Sequence, residues 1–260
     1  MSQRKARKSP DEMTFLEHLE DLRKRFFYAF LALIVGLVPG WIFHKELYTI
    51  IARPVTQYLP PGTKLAFTSL TAPFMLYIKI AFLAAIFFTS PFIFLQLWLF
   101  IAPGLYKKER RYVVPFVLFT TVFFAAGVVF GYFVVFPWAC RFFLGMGADF
   151  QPVITVDQYF NLALRVLLGI AVVFELPTLV YFLSQFGILT AAWMLRNFKY
   201  AVLAVFVIAA VITPTPDWVI QSIVAVPMLI LYGLSILIAL LVGRSKEKRR
   251  RRESEGDPAG

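Results

Sequence analysis

Charged residues are scarce in this chain of 260 residues. Only 16% of them are Asp, Glu, Lys or Arg, whereas 60% are hydrophobic. Soluble domains carry about 25% charged and about 45–50% apolar residues, so this composition excludes an ordinary soluble protein. The apolar residues stand in long blocks, and the mean hydropathy of the chain is +0.74. The sequence therefore predicts an integral membrane protein with several spans.

Residues that carry catalytic or metal chemistry are also few. Cys140 is the single cysteine, which excludes an internal disulfide and any cysteine-based zinc or redox motif. The two histidines, His18 and His44, have no partner at ligand spacing. The sequence contains no nucleophile elbow, phosphate-binding loop or dinucleotide fingerprint. We therefore expect no enzyme, no metal and no cofactor.

Six apolar segments occur along the chain, at residues 26–43, 73–102, 113–137, 159–186, 199–213 and 218–242. The first four are long enough to cross a hydrocarbon core of about 30 Å. The fifth is short and is followed by TPTPD, which cannot continue a helix, so it forms either a short span or half of a re-entrant pair. Because residues 218–242 can cross alone, we favour six transmembrane helices, the last two of them short, in a locally thinned bilayer.

Positive charge is unevenly distributed among the connecting segments. Residues 1–25, 103–112, 187–199 and 243–260 carry 7, 4, 2 and 7 of the 26 Lys and Arg residues. The positive-inside rule predicts that these segments, and with them both termini, are cytoplasmic. We interpret residues 243–260, after a membrane domain at 26–242, as a disordered basic tail near anionic lipid rather than a nucleic-acid-binding segment. The outer loops, 44–72 and 138–158, are expected to be ordered caps.

One acid lies deep in the fourth apolar segment, in the stretch FELP. Glu175 is predicted near mid-membrane or slightly inward, where an ionised carboxylate that faces lipid is costly. It is therefore expected to face a polar interior or to be protonated. Pro177 removes the helical donor to the carbonyl of Val173 and is expected to kink the helix. Thr213 and Gln221 are candidates to share this polar place.

Further acids lie in two cationic segments. In TFLEHLEDLRKRFF, within the predicted cytoplasmic segment 1–25, apolar residues at spacings of four, three and four form one stripe of an amphipathic helix. Glu20 and Asp21 each have a cation four residues later, so ordinary surface ion pairs are favoured on spacing alone. Glu109 lies among four cations in LYKKERRY. Composition does not decide between a topogenic loop and a binding site there.

The ordered set of motifs resembles one family. HLEDLRKR before the first span, FIAPGLYKKERR after the second, YFVVFP closing the third, FELP in the fourth and TPTPD before the sixth are similar to TatC. TatC is the multispanning subunit of the twin-arginine protein translocase. The resemblance covers about residues 14–242 and implies a concave, glove-like all-α bundle of six spans in the inner membrane of a prokaryote.

The resemblance also implies a function and partners. A TatC protein binds signal peptides that carry paired arginines and assembles with TatA- and TatB-type single-span proteins into a larger complex. It helps to export folded proteins with the proton-motive force. No nucleic acid is expected as a partner.

Several residues match the family's binding positions. Asp21 and Glu109 match the two acids that bind the arginine pair, since a planar guanidinium pairs bidentately with a carboxylate. Asp21 is one methylene shorter than the family's Glu, so Glu20 beside it is a candidate to share the role. The resemblance places three further residues near the peptide: Arg23, Gln96 and Phe100.

Other matches concern the outer turns and the deep acid. Pro54 matches a proline of the first outer loop, and Asp217 matches the acid of the last outer turn. TPTPD is one residue longer than a TPPD form, so either Thr213 or Thr215 takes the family's threonine position. The resemblance implies that Glu175, with these threonines and Gln221, is a polar docking point for a partner's transmembrane helix.

Three alternatives remain open at this point. Glu175 is also compatible with a protonated acid that bonds a neighbouring helix. An acid beside a helix break at mid-depth is typical of proton-coupled small-molecule transporters, which we keep as the competing function. A purely structural scaffold would tolerate charge reversal at Asp21 and Glu109.

Overall fold

The computed structural model describes residues 15–59, 63–101, 113–147, 149–213 and 217–255. Within these residues the chain is helical, and one isolated parallel bridge joins Ala66 to Thr155. The helices are α1 (Phe15–Ile42), α2 (His44–Thr56), α3 (Ala72–Ile101), α4 (Val113–Phe130), α5 (Phe136–Met146), α6 (Val156–Val173), α7 (Leu176–Gln185), α8 (Ala191–Arg196), α9 (Phe198–Ile212) and α10 (Trp218–Glu255). A π-helical turn, Gly131–Val135, joins α4 to α5.

Five helical stretches among the described residues are long and apolar enough to cross a membrane. They are Leu19–Ile42, Ala72–Phe100, Val113–Met146, Val156–Gln185 and Trp218–Lys248. The prediction of an all-α protein with several membrane-spanning helices is confirmed. The sixth apolar helix, α9, has only 15 residues, so the count of six spans stays a prediction, as does the position of the termini.

Two predicted boundaries differ from the structure. The expected amphipathic helix and first span form one helix, because the sequence has no breaker near residue 25 and Pro39 is the first proline inside α1. The last helix, expected to be short, has 38 residues and extends to Glu255. The prediction of a disordered tail from residue 243 is therefore wrong up to Glu255. Lys, Arg and Glu are good helix formers, so this charged segment continues the helix.

The chain divides into two compact units. The first comprises Met1–Ile42 and Ala81–Thr121. Within it, α1 approaches α3 closely at a glycine, since a Cβ atom at Gly40 would lie 2.5 Å from the carbonyl oxygen of Ala81. The rings of Trp98 and Phe116, 4.7 Å apart, pack α3 against α4. The buried aromatic pair and the glycine contact hold this unit together.

The second unit comprises Phe43–Ile80 and Val122–Gly260. Its α10 packs along α7, α8 and α9, and its α6 packs against the π-helical turn. The described residues of the segments expected to be outer loops include α2, which packs against α5. The hydroxyl groups of Tyr132 and Tyr159 donate hydrogen bonds of 2.7 Å to the carbonyls of Ile50 and Ile51 in α2.

Candidate functional site

Asp21 lies in the early part of α1 and already has a guanidinium partner. The Nε atom of Arg25 lies 3.3 Å from Asp21 Oδ1 and 3.5 Å from Oδ2. The two residues face the same side of the helix because they are four positions apart. The Asp21 side chain is 17% exposed and the Arg25 side chain 28%, so the pair is partly shielded from water.

A narrow groove of about 160 Å³ lies beside this ion pair within the first unit. Arg25, Gln96 and Phe100 line it together with apolar side chains of α1 and α3, namely Leu22, Phe26, Ala29, Ile93 and Leu97. The structure therefore brings together two of the predicted peptide-binding residues and the partner of a third. A bound segment in this groove would contact an apolar wall and the Arg25 side chain.

Gln96 carries the unusual polar group of this groove. Its side chain is 7% exposed, and its Oε1 atom accepts no hydrogen bond from any described residue. A buried acceptor without a donor costs about 1–3 kcal/mol. The Gln96 Oε1 atom is therefore available to accept a hydrogen bond from an N–H group of a ligand bound in the groove.

Glu20 and Arg23 are exposed on α1 and line a different surface depression of that helix, with Lys24 and several aromatic residues. Neither side chain lines the groove that contains Gln96. Of the two acids that the sequence left open, Asp21 is the one whose ion-pair partner reaches the groove. Glu109, the other predicted acid, lies in residues 102–112, outside the described residues.

The chain breaks its helix at Glu175. Helix α6 ends at Val173, a turn covers Phe174 and Glu175, and α7 begins at Leu176 with Pro177 in its first turn. The Glu175 backbone is satisfied, since its N–H donates to Val172 and its carbonyl accepts from Leu179. The predicted helix distortion is thus confirmed, and proline's missing N–H explains where it occurs.

The Glu175 carboxyl group is buried without a partner. Neither of its oxygens has a hydrogen bond to any described residue. One turn further, Thr178 is buried and its Oγ1 atom also has no such partner. These two residues form a polar spot at the start of α7. Sequence reasoning missed Thr178, although its spacing of three from Glu175 places it on the same helical face.

Two other members of the predicted polar cluster, Thr213 and Gln221, donate hydrogen bonds to carbonyls of α9. The Thr213 hydroxyl donates to the carbonyl of Ala209 at 2.9 Å, and the Gln221 amide donates to the carbonyl of Phe206 at 2.7 Å. Neither side chain bonds to Glu175. Thr215 lies in residues 214–216, outside the described residues.

The residues predicted for the outer turns have visible local contacts. Pro54 is buried near the end of α2, the helix that the hydroxyls of Tyr132 and Tyr159 hold. Asp217 precedes α10, and its Oδ1 atom accepts a 2.7 Å hydrogen bond from the N–H of Val219, which is the geometry of a helix N-cap. Sequence reasoning missed the two tyrosines, because their partners are backbone atoms of a distant helix.

Comparison with known proteins gives consistent matches. The family model described as Sec-independent protein translocase protein (TatC) matches residues 17–227. A protein of that name from Koribacter versatilis is 46% identical over 246 residues, which cover 94% of this chain and 90% of the relative. One from Helicobacter pylori is 41% identical over 226 residues, covering 86% and 88%.

A solved structure also matches. The crystal structure of a twin-arginine translocase receptor, TatC, aligns with a TM-score of 0.77 at 33% sequence identity. The alignment covers 87% of this chain and 100% of that chain. A second structure of the receptor, in the detergent DDM, aligns with a TM-score of 0.78 at the same identity.

Proposed function

Because this chain belongs to the TatC family of Sec-independent protein translocase proteins, we propose that it is the signal-peptide receptor of a twin-arginine translocase. The family makes it a membrane component of a protein-transport system that works with other Tat subunits, and no catalytic activity is indicated. The proposed receptor function is more specific than family membership. It consists of binding peptides with paired arginines at the cytoplasmic face and handing folded cargo to an assembled translocase.

The observation that carries the proposal is the position of Asp21 beside the groove. Its carboxylate is partly shielded and held by Arg25, and the groove next to Arg25 is apolar with one unpartnered acceptor on Gln96. A signal peptide combines paired guanidinium groups with an apolar segment, so it needs an acid and an apolar surface side by side. Charge-assisted bonds to Asp21 would hold one arginine, while the groove would hold neighbouring apolar residues.

The second arginine requires a second acid, and we assign it to Glu109. The four cations beside Glu109 in the sequence favour its ionised form. By the positive-inside rule they also favour a cytoplasmic position for this segment. Six spans with both termini in the cytoplasm, in the inner membrane of a prokaryote, would place both acids on the side from which cargo arrives. The charge bias of the connecting segments supports this orientation.

We further propose that Glu175 is a docking point for the transmembrane helix of a TatA- or TatB-type partner. The support is its buried carboxyl group without a hydrogen-bond partner among the described residues, next to a helix break and to Thr178. A polar side chain of a partner helix would satisfy both groups. Assembly with such partners and with further copies of the chain would then couple peptide binding to export driven by the proton-motive force.

The peptide-binding proposal is tested with the purified protein in lipid nanodiscs and a labelled signal peptide. Asp21→Asn and Glu109→Gln are each expected to weaken binding by about 10- to 100-fold, since a hydrogen bond to a charged group contributes about 1.5–3 kcal/mol. Replacing Arg-Arg in the peptide by Lys-Lys should weaken wild-type binding similarly. Equal binding in all of these combinations would refute the proposal, and a loss in Glu20→Gln instead of Asp21→Asn would move the role to Glu20.

The docking proposal is tested by photo-crosslinking in membranes that contain the single-span partners. A photoreactive side chain at the exposed position Leu179, one turn from Glu175, is expected to label a partner helix. Glu175→Leu should abolish this product, whereas Glu175→Gln should retain part of it because an amide still forms hydrogen bonds. Labelling of lipid alone in the wild-type protein would contradict docking at this place.

A further inference from the structure

Another cavity, of about 390 Å³, lies in the second unit beside the end of α7. Its walls come from the α7–α8 connection and from the last apolar and first charged turns of α10. Ser184, Leu189 and Thr190 line one side, and Leu240, Arg244 and Lys246 line the other. It is distinct from the groove of α1 and α3 and from Glu175, and none of the residues proposed above lines it.

Lys246 is fixed in the wall of this cavity. Its Nζ atom donates a 3.0 Å hydrogen bond to the carbonyl of Ser184 and a further one to the carbonyl of Gln185. These carbonyls belong to the last turn of α7, where a cation is favourable. Because an ammonium group has three donors, one N–H of Lys246 remains for a ligand.

Arg244 is the second cation of the cavity. Its side chain is exposed and forms no hydrogen bond or ion pair with any described residue. Glu247 also lines the cavity, and its side chain already has an interaction partner. The two cations and one carboxylate give the lining a formal charge of +1, which matches a ligand with a single negative charge.

Ser184 supplies an independent sign of a missing polar ligand. Its side chain is only 5% exposed, and its Oγ atom has no hydrogen-bond partner among the described residues. Serine hydroxyls inside helices ordinarily bond to a carbonyl of the preceding turn. Because Ser184 lines the same cavity as Arg244 and Lys246, its unbonded hydroxyl is suited to donate to an anionic oxygen bound there.

The position of the cavity at one end of a candidate membrane span indicates which kind of anion it binds. The candidate span of α10 ends at Lys248, so the lining crosses from apolar Leu240 to cationic Arg244 at one end of the membrane-spanning region. Nearby Ile188 and Trp193 are exposed, and tryptophan is typical of membrane interfaces. At this depth in a bilayer the acyl chains of the phospholipids end and their phosphate groups begin.

We propose that this cavity binds the phosphodiester headgroup of an anionic phospholipid. Arg244 and the free N–H of Lys246 donate to the phosphate oxygens, the Ser184 hydroxyl supplies a third donor, and Leu189 and Leu240 contact the apolar part of the same lipid. The site depends on the chain spanning a membrane, and it does not depend on peptide binding. A bound lipid would bridge the α7–α8 connection and α10 and stiffen their junction.

The test measures retention of phosphatidylglycerol by the full-length protein, by native mass spectrometry after release from nanodiscs of defined composition. Arg244→Gln is expected to weaken retention by about tenfold, the factor expected for loss of one hydrogen bond to a charged group. Lys248→Gln is the matched control, because Lys248 is an exposed cation on the same helix that does not line the cavity. It should change retention by less than about twofold.

Two further arms identify the ligand. Nanodiscs of phosphatidylcholine or phosphatidylethanolamine should leave few bound lipids, and millimolar inorganic phosphate should not displace phosphatidylglycerol. Equal retention of the zwitterionic lipids, displacement by inorganic phosphate, or equal losses in Arg244→Gln and Lys248→Gln would each overturn the proposal. Arg244→Gln removes no hydrogen bond to a described residue, so a loss of lipid in this variant does not reflect a broken fold.

Discussion

Replacing Arg25 by glutamine is expected to strengthen binding of a peptide that carries paired arginines. In the free protein the Arg25 Nε atom lies 3.3 Å from Asp21 Oδ1 and occupies the carboxylate that the peptide would use. An incoming guanidinium group must displace this internal partner and approach a second positive charge. Arg25 thus acts as a competitor built into α1, and its removal leaves the acid available.

The size of the effect follows from the distance and the exposure of the pair. At 3.3 Å two unit charges attract by about 1.3 kcal/mol in water and about 5 kcal/mol at an effective dielectric constant of 20. Helix pairs at this spacing contribute only about 0.3–0.5 kcal/mol, and exposed pairs at most about 1 kcal/mol. Because the two side chains are 28% and 17% exposed, we expect about 0.5–1 kcal/mol, or a two- to fivefold gain in affinity.

Fluorescence anisotropy with the protein in nanodiscs measures this gain, and its size should fall as salt is raised, since the pair is partly exposed. Lys24→Gln is the matched control. It removes an exposed cation next to Arg25 that forms no ion pair with Asp21 in the structure, and it should change the affinity by less than about twofold. Unchanged or weaker binding by Arg25→Gln, or an equal gain in Lys24→Gln, would refute the reasoning.

Two predictions concern the packing of the second unit. Gly127→Ala places a Cβ atom 2.7 Å from a backbone Cα atom of α6 and should destabilise the protein by about 1–3 kcal/mol, lowering its Tm in detergent. A Cβ atom at Gly233 would meet no described atom within 4 Å beyond its own helical turn, so Gly233→Ala should instead be neutral or stabilising by up to about 1 kcal/mol. Equal Tm shifts for the two variants would contradict this contrast. Tyr159→Phe leaves the carbonyl of Ile51 without its 2.7 Å hydrogen bond and should speed amide exchange in α2, an effect worth about 1 kcal/mol. Unchanged exchange would show that this hydroxyl does not hold the helix.

Local patterns predicted most of the helices, because apolar runs and helix breakers act over a few residues. Pro177 marked the break between α6 and α7, since a proline loses its helical donor in any tertiary setting. The ends of α1 and α10 were harder to predict from the sequence. Charge marks where a chain leaves the apolar core of a membrane, but Lys, Arg and Glu do not end a helix, so α10 continues to Glu255.

The candidate site was predictable in its residue types and less so in its arrangement. The motifs singled out Asp21 and Gln96, but only the structure shows that Arg25 joins the acid to the groove in which Gln96 has an oxygen without a partner among the described residues. The expectation that Thr213 and Gln221 share a polar place with Glu175 depended on contacts between helices. In the structure both residues donate to carbonyls of α9 instead.

The sequence by itself determined that this chain is a membrane protein of the TatC family, with acids at defined points of an ordered motif set. It could do so because transfer of apolar side chains from water, helix propensity and motif order are properties of the chain alone. The tertiary structure decided which polar groups have partners: it paired Asp21 with Arg25 and left Glu175 and Ser184 without hydrogen bonds to described residues. Hydrogen bonds and cavities depend on which helices come together, and that information is distributed over the whole fold.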